Sequence, residues 1–181
     1  QHVTGFLRTR QLFSTKATYV EARIRFRGAP GSWCAFWLQS PQFGRRVGVP
    51  EETGVEVDIV EYRKNNKAGS DVSDTVSFNL HWDGYGTSAK SLGREWKATG
   101  TLEAEWHIYA VLSQPDGFTF FVDNERRWWT GAVATKAYEE IRLTCEVRDK
   151  SWAGDVPPGG FGNSNSSDFG MEVDWVRVWG R

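Results

Sequence analysis

Residues 56–61 of the chain read EVDIVE, which places three carboxylates within six positions. Side chains alternate between the two faces of a β-strand, so Glu56 and Asp58 share one face while the aliphatic residues point to the other. Continued without interruption, this alternation would turn Glu61 into the core. A β-bulge at 59–60 would return Glu61 to the face of the other two carboxylates, and bulges are frequent beside active sites.

The spacing of the two glutamates indicates a reaction type. With the bulge, Glu56 and Glu61 lie about four strand steps apart, roughly 13 Å between Cα atoms. Side chains that reach inward would bring the carboxyl groups to about 5 Å, the separation in retaining glycosidases, against roughly 6.5–9.5 Å in inverting ones. Asp58 lies between them, and like charges this close raise at least one pKa, which keeps one carboxyl protonated near neutral pH. An exposed acidic strand or a Ca²⁺ or Mg²⁺ site would also account for the cluster.

Composition limits the classes of protein to consider. The 181 residues are 39% hydrophobic with a net charge of −1, which suits one domain over 1–181 that buries roughly 70% of its unfolded surface. The lack of a basic excess argues against nucleic acid as a partner, and the lack of a run of ~20 apolar residues argues against a membrane. The start, QHVTGFLRTR (1–10), has no apolar centre of a signal peptide, so a secreted protein would already have lost its signal. Ten Trp, eleven Phe and five Tyr favour flat apolar surfaces for sugars.

Short runs rich in β-branched and aromatic residues alternate with Gly, Pro, Asn and Asp, which predicts an all-β sandwich without convincing helices. Strands are expected at about 5–13, 18–28, 33–40, 54–63, 74–82, 106–113, 117–123, 140–148 and 170–179. The Q-P-D-G sequence within 107–124 predicts a hairpin turn. Long surface loops are expected at 44–53 and 155–168.

In several of these strands, alternate positions carry aliphatic residues and the positions between them carry polar or Trp residues. We call these two sets of positions the aliphatic parity and the second parity. The second parity comprises Trp33, Ala35, Trp37 and Gln39; Ser77, Asn79 and His81; and Arg142, Thr144 and Glu146. If these faces line up on one sheet, they form the floor of a polar, aromatic groove. Cys34 and Cys145 fall on the aliphatic parity, so two buried free thiols are favoured over one disulfide.

The same segments carry a family resemblance. The pattern E-[aliphatic]-D-[aliphatic]-[aliphatic]-E at 56–61, the stretch 4–39 ending in GSWCAFWLQ, EWHIYAVLSQPDGFTFFVDN (105–124) and MEVDWVRVW (171–179) resemble glycoside hydrolase family 16. This family contains laminarinases, lichenases, agarases, carrageenases and related endo-galactanases. The motif here contains the extra residue of the bulged form. In this respect it resembles the laminarinase, agarase and carrageenase branches of the family.

The resemblance implies Glu56 as nucleophile, Asp58 as the aspartate that assists it and Glu61 as general acid/base. It also implies a concanavalin A-like β-jelly roll of two antiparallel sheets, with the substrate in a cleft across the concave sheet. Trp33 and Trp37 match the cleft tryptophans of the family, and sugar rings stack on such indoles, although a core role is the alternative for each. Further candidates for substrate binding, each of which could equally be a structural polar group, are Arg63, Asn79, His81, Glu146 and Trp152.

The function implied is a retaining endo-β-glycosidase that hydrolyses internal β-1,3 or β-1,4 linkages of a glucan or galactan by double displacement. Such a protein would be extracellular or periplasmic and a monomer, with a polysaccharide or oligosaccharide as partner and with no required cofactor or catalytic metal. A non-catalytic carbohydrate-binding module or lectin on the same sandwich, or a transglycosylase of the same family, are the alternatives.

The sequence also departs from the family. Members of the family have an early strand ahead of the part that residues 4–10 match, so this chain is expected to lack the family's usual N-terminal strand segment. The family's convex-face calcium site is then expected to be incomplete, and a structural calcium is left possible with Asp174 as a candidate ligand. The stretch PEETGVE (50–56) lacks the Trp-Pro pair of laminarinases, and 143–162 differs from their Asn-containing run. Both differences leave room for a galactan-type substrate.

Overall fold

The computed structural model describes residues 4–16, 19–103, 105–163 and 166–180. Within these ranges almost all regular structure is β, as predicted. The strands are β1 Gly5–Arg8, β2 Tyr19–Arg27, β3 Ser32–Gln39, β4 Glu56–Arg63, β5 Thr75–Trp82, β6 Lys90–Lys97, β7 His107–Gln114, β8 Gly117–Val122, β9 Glu125–Thr130, β10 Glu140–Val147, β11 Gly162–Asn163, β12 Ser166–Ser167 and β13 Gly170–Trp179.

The strands form two large antiparallel sheets. One has six strands in the order β1-β10-β3-β4-β5-β6, and the other has five in the order β13-β2-β7-β8-β9. The short pair β11 and β12 stands apart from both. The predicted Q-P-D-G turn joins β7 to β8, with Gln114 opposite Gly117.

The core lies between the two sheets and follows the alternation in the sequence. In β5, Val76, Phe78 and Leu80 are at most 1% exposed. The Phe78 ring lies 5.4 Å from that of Phe120 in the facing sheet. Burial of one face of each sheet produces the β-jelly-roll sandwich that the resemblance implies.

Four strands were not predicted: the short pair β11 and β12, which falls in the expected loop 155–168, and one strand of each large sheet. β6 and β9 are the outermost strands on one edge of each sheet, and their sequences, KSLGREWK and ERRWWT, are rich in charged residues. Edge strands are commonly charged, which removes the alternation that marks a half-buried strand. β1 ends at Arg8, earlier than the predicted strand 5–13, and position 18 of the predicted strand 18–28 lies outside the described residues.

One short helix, α1, spans Pro50–Thr53 within the predicted loop 44–53. Proline is favoured at the first helical position because its fixed φ suits the helix and its missing N–H would be unpaired there. In the part of the chain that the structure describes, no helix is long and apolar enough to cross a membrane.

The expectation of two free thiols is wrong, because Cys34 and Cys145 form a disulfide. β3 and β10 pair so that the two cysteines are directly opposite each other, with Cα atoms 4.1 Å apart. Their positions are 111 residues apart in the chain. The register that joins them depends on the pairing of distant strands, which the parity of each strand alone does not reveal.

Asp174 lies at a bulge in β13, where the pairing with β2 shifts between Val173 and Trp175. Its carboxylate accepts a hydrogen bond from Arg23 at 2.6 Å. The residue considered as a calcium ligand is therefore engaged in an ion pair in this structure.

Candidate active site

The predicted bulge in β4 is confirmed. Asp58 pairs with Asn79 of β5 and Glu61 with Ser77, so two residues of β4 oppose one of β5. Both bulge residues, Ile59 and Val60, are fully buried. The bulge lets two successive aliphatic side chains enter the core and returns the next carboxylate to the outward face of the sheet.

A cleft of about 170 Å³ lies on that outward face and brings together most of the predicted site residues. It is lined by Trp33, Ala35, Trp37, Glu56, Asp58, Glu61, His81, Tyr85, Thr144 and Glu146. Glu56 and Asp58 are only 7% and 6% exposed. The three carboxylates therefore share one largely desolvated space, in which charges interact more strongly than in water.

Glu56 is held by two neutral donors. The Gln39 amide and the Tyr85 hydroxyl both donate short hydrogen bonds to Oε2 of Glu56. The Gln39 amide also lies 2.7 Å from the Tyr85 oxygen. These contacts fix one oxygen of the carboxylate and leave the other available to the cleft.

Asp58 lies beside His81, with Oδ2 at 3.3 Å from the imidazole Nε2. Burial, followed by the charges of Glu56 and Glu146, raises the pKa of Asp58 well above its ordinary value. One oxygen of Glu56, one of Asp58 and a ring nitrogen of His81 lie within 4.8 Å of one another, a spacing that could also hold a metal ion.

Glu61 is the carboxyl best placed to carry a proton. Burial is the largest effect and, together with the charges of Asp58 and Glu56, raises its pKa to about 8 despite opposing contributions from Asn79 and His81. The Asn79 amide donates a 2.5 Å hydrogen bond to Glu61. Near neutral pH most of the Glu61 carboxyl is therefore protonated, as a general acid requires.

Asn79 reaches Glu61 because its cross-strand neighbour in β6 is Gly93. A Cβ added at Gly93 would lie 1.9 Å from the Asn79 Oδ1. The missing side chain thus creates the space in which the amide lies.

Aromatic side chains form the walls of the cleft. The Trp37 indole N–H donates to Thr144 Oγ1 at 3.2 Å, and the Arg142 guanidinium lies 4.7 Å from the Trp37 ring. Trp33 packs edge-on against Trp152, with ring centroids 6.0 Å apart. Both cleft tryptophans are only partly buried, which leaves ring surface for a sugar.

Arg63 and Trp152 lie at the Trp33 end of the cleft and do not line the space around the carboxylates. The Arg63 guanidinium lies 4.1 Å from the Trp152 ring and donates to Glu95 at 2.8 Å. Arg63 is not among the groups that set the pKa of Glu61. These contacts suit a role in holding Trp152 in place.

Sequence reasoning missed Tyr85, which follows β5 in the stretch WDGYG. The preceding Gly84 approaches Gly44 so closely that a Cβ on Gly44 would lie 2.7 Å from the Gly84 Cα. Phe43, beside Gly44, packs against the Tyr85 ring at 5.0 Å. The contact between two loops distant in sequence thus positions the Tyr85 hydroxyl beside Glu56. The local signal in the sequence is the D-G pair before Tyr85, which is typical of a turn and does not indicate the contact with Glu56.

The chain is also similar to known proteins. Residues 5–177 match the family model described as glycosyl hydrolases family 16. The chain belongs to this family.

Two curated relatives of this family 16 chain are each 23% identical to it. One is a keratan-sulfate endo-1,4-β-galactosidase of Sphingobacterium multivorum, aligned over 97% of this chain and 39% of the relative. The other is the glucan endo-1,3-β-glucosidase A1 of Niallia circulans, aligned over 99% of this chain and 26% of the relative. The chain thus spans well under half the length of either relative. The laminarinase catalytic domain of Thermotoga maritima has the same fold, with a TM-score of 0.75, 21% identity, and coverage of 97% of this chain and 68% of that one.

Proposed function

We propose that this family 16 protein is a retaining endo-β-glycosidase that cleaves internal β-linkages of a glucan or galactan chain. The observation that carries the proposal is the pair of glutamates on one face of β4. Glu56 accepts hydrogen bonds from Gln39 and Tyr85, whereas burial and neighbouring charge raise the pKa of Glu61 to about 8. A hydrogen-bonded nucleophile beside a carboxyl that carries a proton is what double displacement at an anomeric carbon requires.

In the first step, Glu61 gives its proton to the oxygen of the leaving sugar while Glu56 attacks the anomeric carbon. In the second step, the ionised Glu61 takes a proton from water, and that water releases the sugar from Glu56. Asp58 and His81 each have an atom within 4.8 Å of a Glu56 carboxylate oxygen. They would provide charge and hydrogen bonds to that group as the Glu56 carboxylate becomes an ester. Trp33 and Trp37 would stack on sugar rings on either side of the bond.

The names of the relatives support a β-linked polysaccharide as the class of substrate. One curated relative is a keratan-sulfate endo-1,4-β-galactosidase, and the other is a glucan endo-1,3-β-glucosidase. We propose a polymer of one of these classes, bound by a monomer. The disulfide between Cys34 and Cys145 supports an oxidising, extracellular or periplasmic location.

The proposed reaction uses only side chains of the protein, so no cofactor is required and a calcium ion, if bound near Asp174, would be structural. The spacing of Glu56, Asp58 and His81 leaves one competing arrangement, a bound divalent cation. We expect hydrolysis to survive exhaustive EDTA treatment. Loss with EDTA and recovery with one divalent metal would favour the cation.

A reducing-end assay on a panel of polymers tests the proposal. The panel contains laminarin, mixed-linkage glucan, agarose, carrageenan and β-1,3-galactan, and wild type is compared with Glu56→Gln. Glu51→Gln is the matched control, because Glu51 is an exposed glutamate on α1 outside the cleft. We expect one polymer to be cut by wild type and by the control, and almost no cutting by Glu56→Gln.

The outcomes separate the alternatives. Substantial activity in Glu56→Gln would end the assignment of the nucleophile. Binding of a polymer without cleavage by wild type would favour a carbohydrate-binding module. Transfer of the cleaved chain to an added acceptor sugar in preference to water would favour a transglycosylase.

A further inference from the structure

A second groove, of about 520 Å³, opens directly beside the cleft. We call it the arginine groove, because its lining includes four arginines, Arg8, Arg10, Arg45 and Arg142, against one acidic residue, Glu140. Gln39 and Tyr85 line it as well. Since these two residues bind Glu56, the groove begins where the proposed nucleophile is held.

The arginines are arranged in a way that costs stability unless an anion is present. Arg8 of β1 and Arg142 of β10 are directly opposite each other in an antiparallel pair. Like charges at such positions repel, and arginine stays charged in proteins. A fold that keeps two arginines at paired positions gains from an anionic ligand that bridges them.

The charges in the groove are also poorly neutralised by the protein itself. Arg142 and Glu140 approach only to 3.7 Å, and the Arg142 Nε is buried without a hydrogen-bond partner. Among the described residues, no carboxylate lies within ion-pair distance of Arg8, Arg10 or Arg45. Donors are therefore available for a ligand that supplies the missing negative charge.

The groove is in register with the cleft. Arg8, Arg142, Trp37 and Asp58 are successive cross-strand partners along one row of the sheet. Two strand spacings, roughly 10 Å, separate the strand of Asp58 from that of Arg142. A sugar ring on Trp37 would thus present a substituent to the guanidinium that lies over the same indole.

We propose that the substrate of this enzyme is an anionic polysaccharide, and that the arginine groove binds a sulfate ester or a uronate carboxylate on a sugar unit beside the nucleophile. This inference rests on the proposed glycosidase function. A guanidinium fork matches both anions, because two parallel N–H donors can bind two oxygens at once. A neutral glucan would leave the opposed arginines uncompensated.

The test compares three polymers and four proteins. The polymers are a sulfated galactan (carrageenan), the same preparation after chemical desulfation, and hyaluronan as a β-linked carboxylate-bearing chain. The proteins are wild type, Arg8→Gln, Arg8→Lys and the control Arg126→Gln, which changes an exposed arginine on β9 of the other sheet. Arg8 is exposed and its guanidinium lies over the exposed Phe6 ring, so the Arg8 variants are expected to fold.

Hydrolysis is measured as kcat/KM, and binding is measured separately for each protein in the Glu56→Gln background. We expect wild type to prefer one anionic polymer, and Arg8→Gln to lose roughly tenfold or more on that polymer alone. Arg8→Lys should retain part of the preference, because it keeps the charge and loses the fork. Added salt should weaken binding by wild type more than by Arg8→Gln. The preferred polymer identifies the anion as sulfate or carboxylate.

The failure of this inference can be distinguished from failure of the proposed function. Cleavage of a neutral or desulfated polymer at least as fast as the anionic ones, unchanged in Arg8→Gln, would overturn the anionic substrate and leave the glycosidase intact. Arginine-dependent binding of an anionic polymer without any cleavage would keep the inference and remove the hydrolase. Neither binding nor cleavage of any anionic polymer would overturn the inference.

Discussion

The substitution Gly93→Ala tests how the protonation of Glu61 is set. The new Cβ would lie 1.9 Å from the Asn79 Oδ1, whereas ordinary contact begins at 3.4 Å, so the amide must move by about 1.5 Å. That movement is enough to break the 2.5 Å hydrogen bond from Asn79 to Glu61. Because this bond favours the ionised carboxylate, its loss raises the pKa of Glu61.

The size of the effect follows from the strength of such a bond. A hydrogen bond to a charged group contributes about 1.5 kcal/mol, and 1.36 kcal/mol corresponds to one pH unit. The pKa of Glu61 is about 8, and kcat/KM of wild type should fall above that pH because the free enzyme loses its acid. In Gly93→Ala we expect the midpoint of this fall to move upward by about one pH unit.

The assay is kcat/KM against pH on the polymer that wild type cleaves. Gly100→Ala is the control, because a Cβ there meets no atom within 4 Å. Asn79→Ala removes the amide outright and should move the midpoint in the same direction. A midpoint that moves in Asn79→Ala but stays fixed or falls in Gly93→Ala would refute the packing argument. A midpoint that stays fixed in both would refute the role of Asn79.

Three other changes have defined outcomes. Glu61→Gln should stabilise the fold at pH 8 but not at pH 4. The pKa of Glu61 is raised from 4.5 in the unfolded chain to about 8 in the folded protein, so the free energy of unfolding falls by about 1.36 kcal/mol per pH unit as the pH rises between those values. Equal urea midpoints of wild type and Glu61→Gln at pH 8 would contradict this. Replacing Cys34 and Cys145 by Ser should lower the free energy of unfolding by about 2–4 kcal/mol, whereas an unchanged urea midpoint would exclude the disulfide. Trp33→Ala should raise KM about tenfold with kcat nearly unchanged, since it removes stacking away from the reacting atoms; a fall in kcat alone would argue against a binding role.

The carboxylate cluster could be predicted from the sequence because its signal is local. The irregular spacing of Glu56, Asp58 and Glu61 permits all three to share one face only if the strand contains a bulge, and the bulge is present. The alternating strands β3, β5 and β10 were predictable for the same reason. Each has one aliphatic parity, and burial of that parity decides which side chains reach the cleft.

Features that depend on register between distant segments could not be predicted in this way. The disulfide requires the pairing of β3 with β10, and the opposed Arg8 and Arg142 require the pairing of β10 with β1. Tyr85 reaches Glu56 through a contact between two loops. In each case the sequence identifies the residue type but carries no local signal of its neighbour.

The measurement that tests the central claim most directly is rescue of Glu56→Ala by azide, with analysis of the product. Removing the carboxylate leaves space on the face from which it attacks, and a small anion in that space can react with the anomeric carbon in a single displacement. We predict that azide restores bond cleavage in Glu56→Ala and yields the α-glycosyl azide from the β-linked substrate. Formation of the β-glycosyl azide by Glu56→Ala, or of the α-glycosyl azide by Glu61→Ala instead, would contradict the assignment of Glu56 as nucleophile and Glu61 as acid.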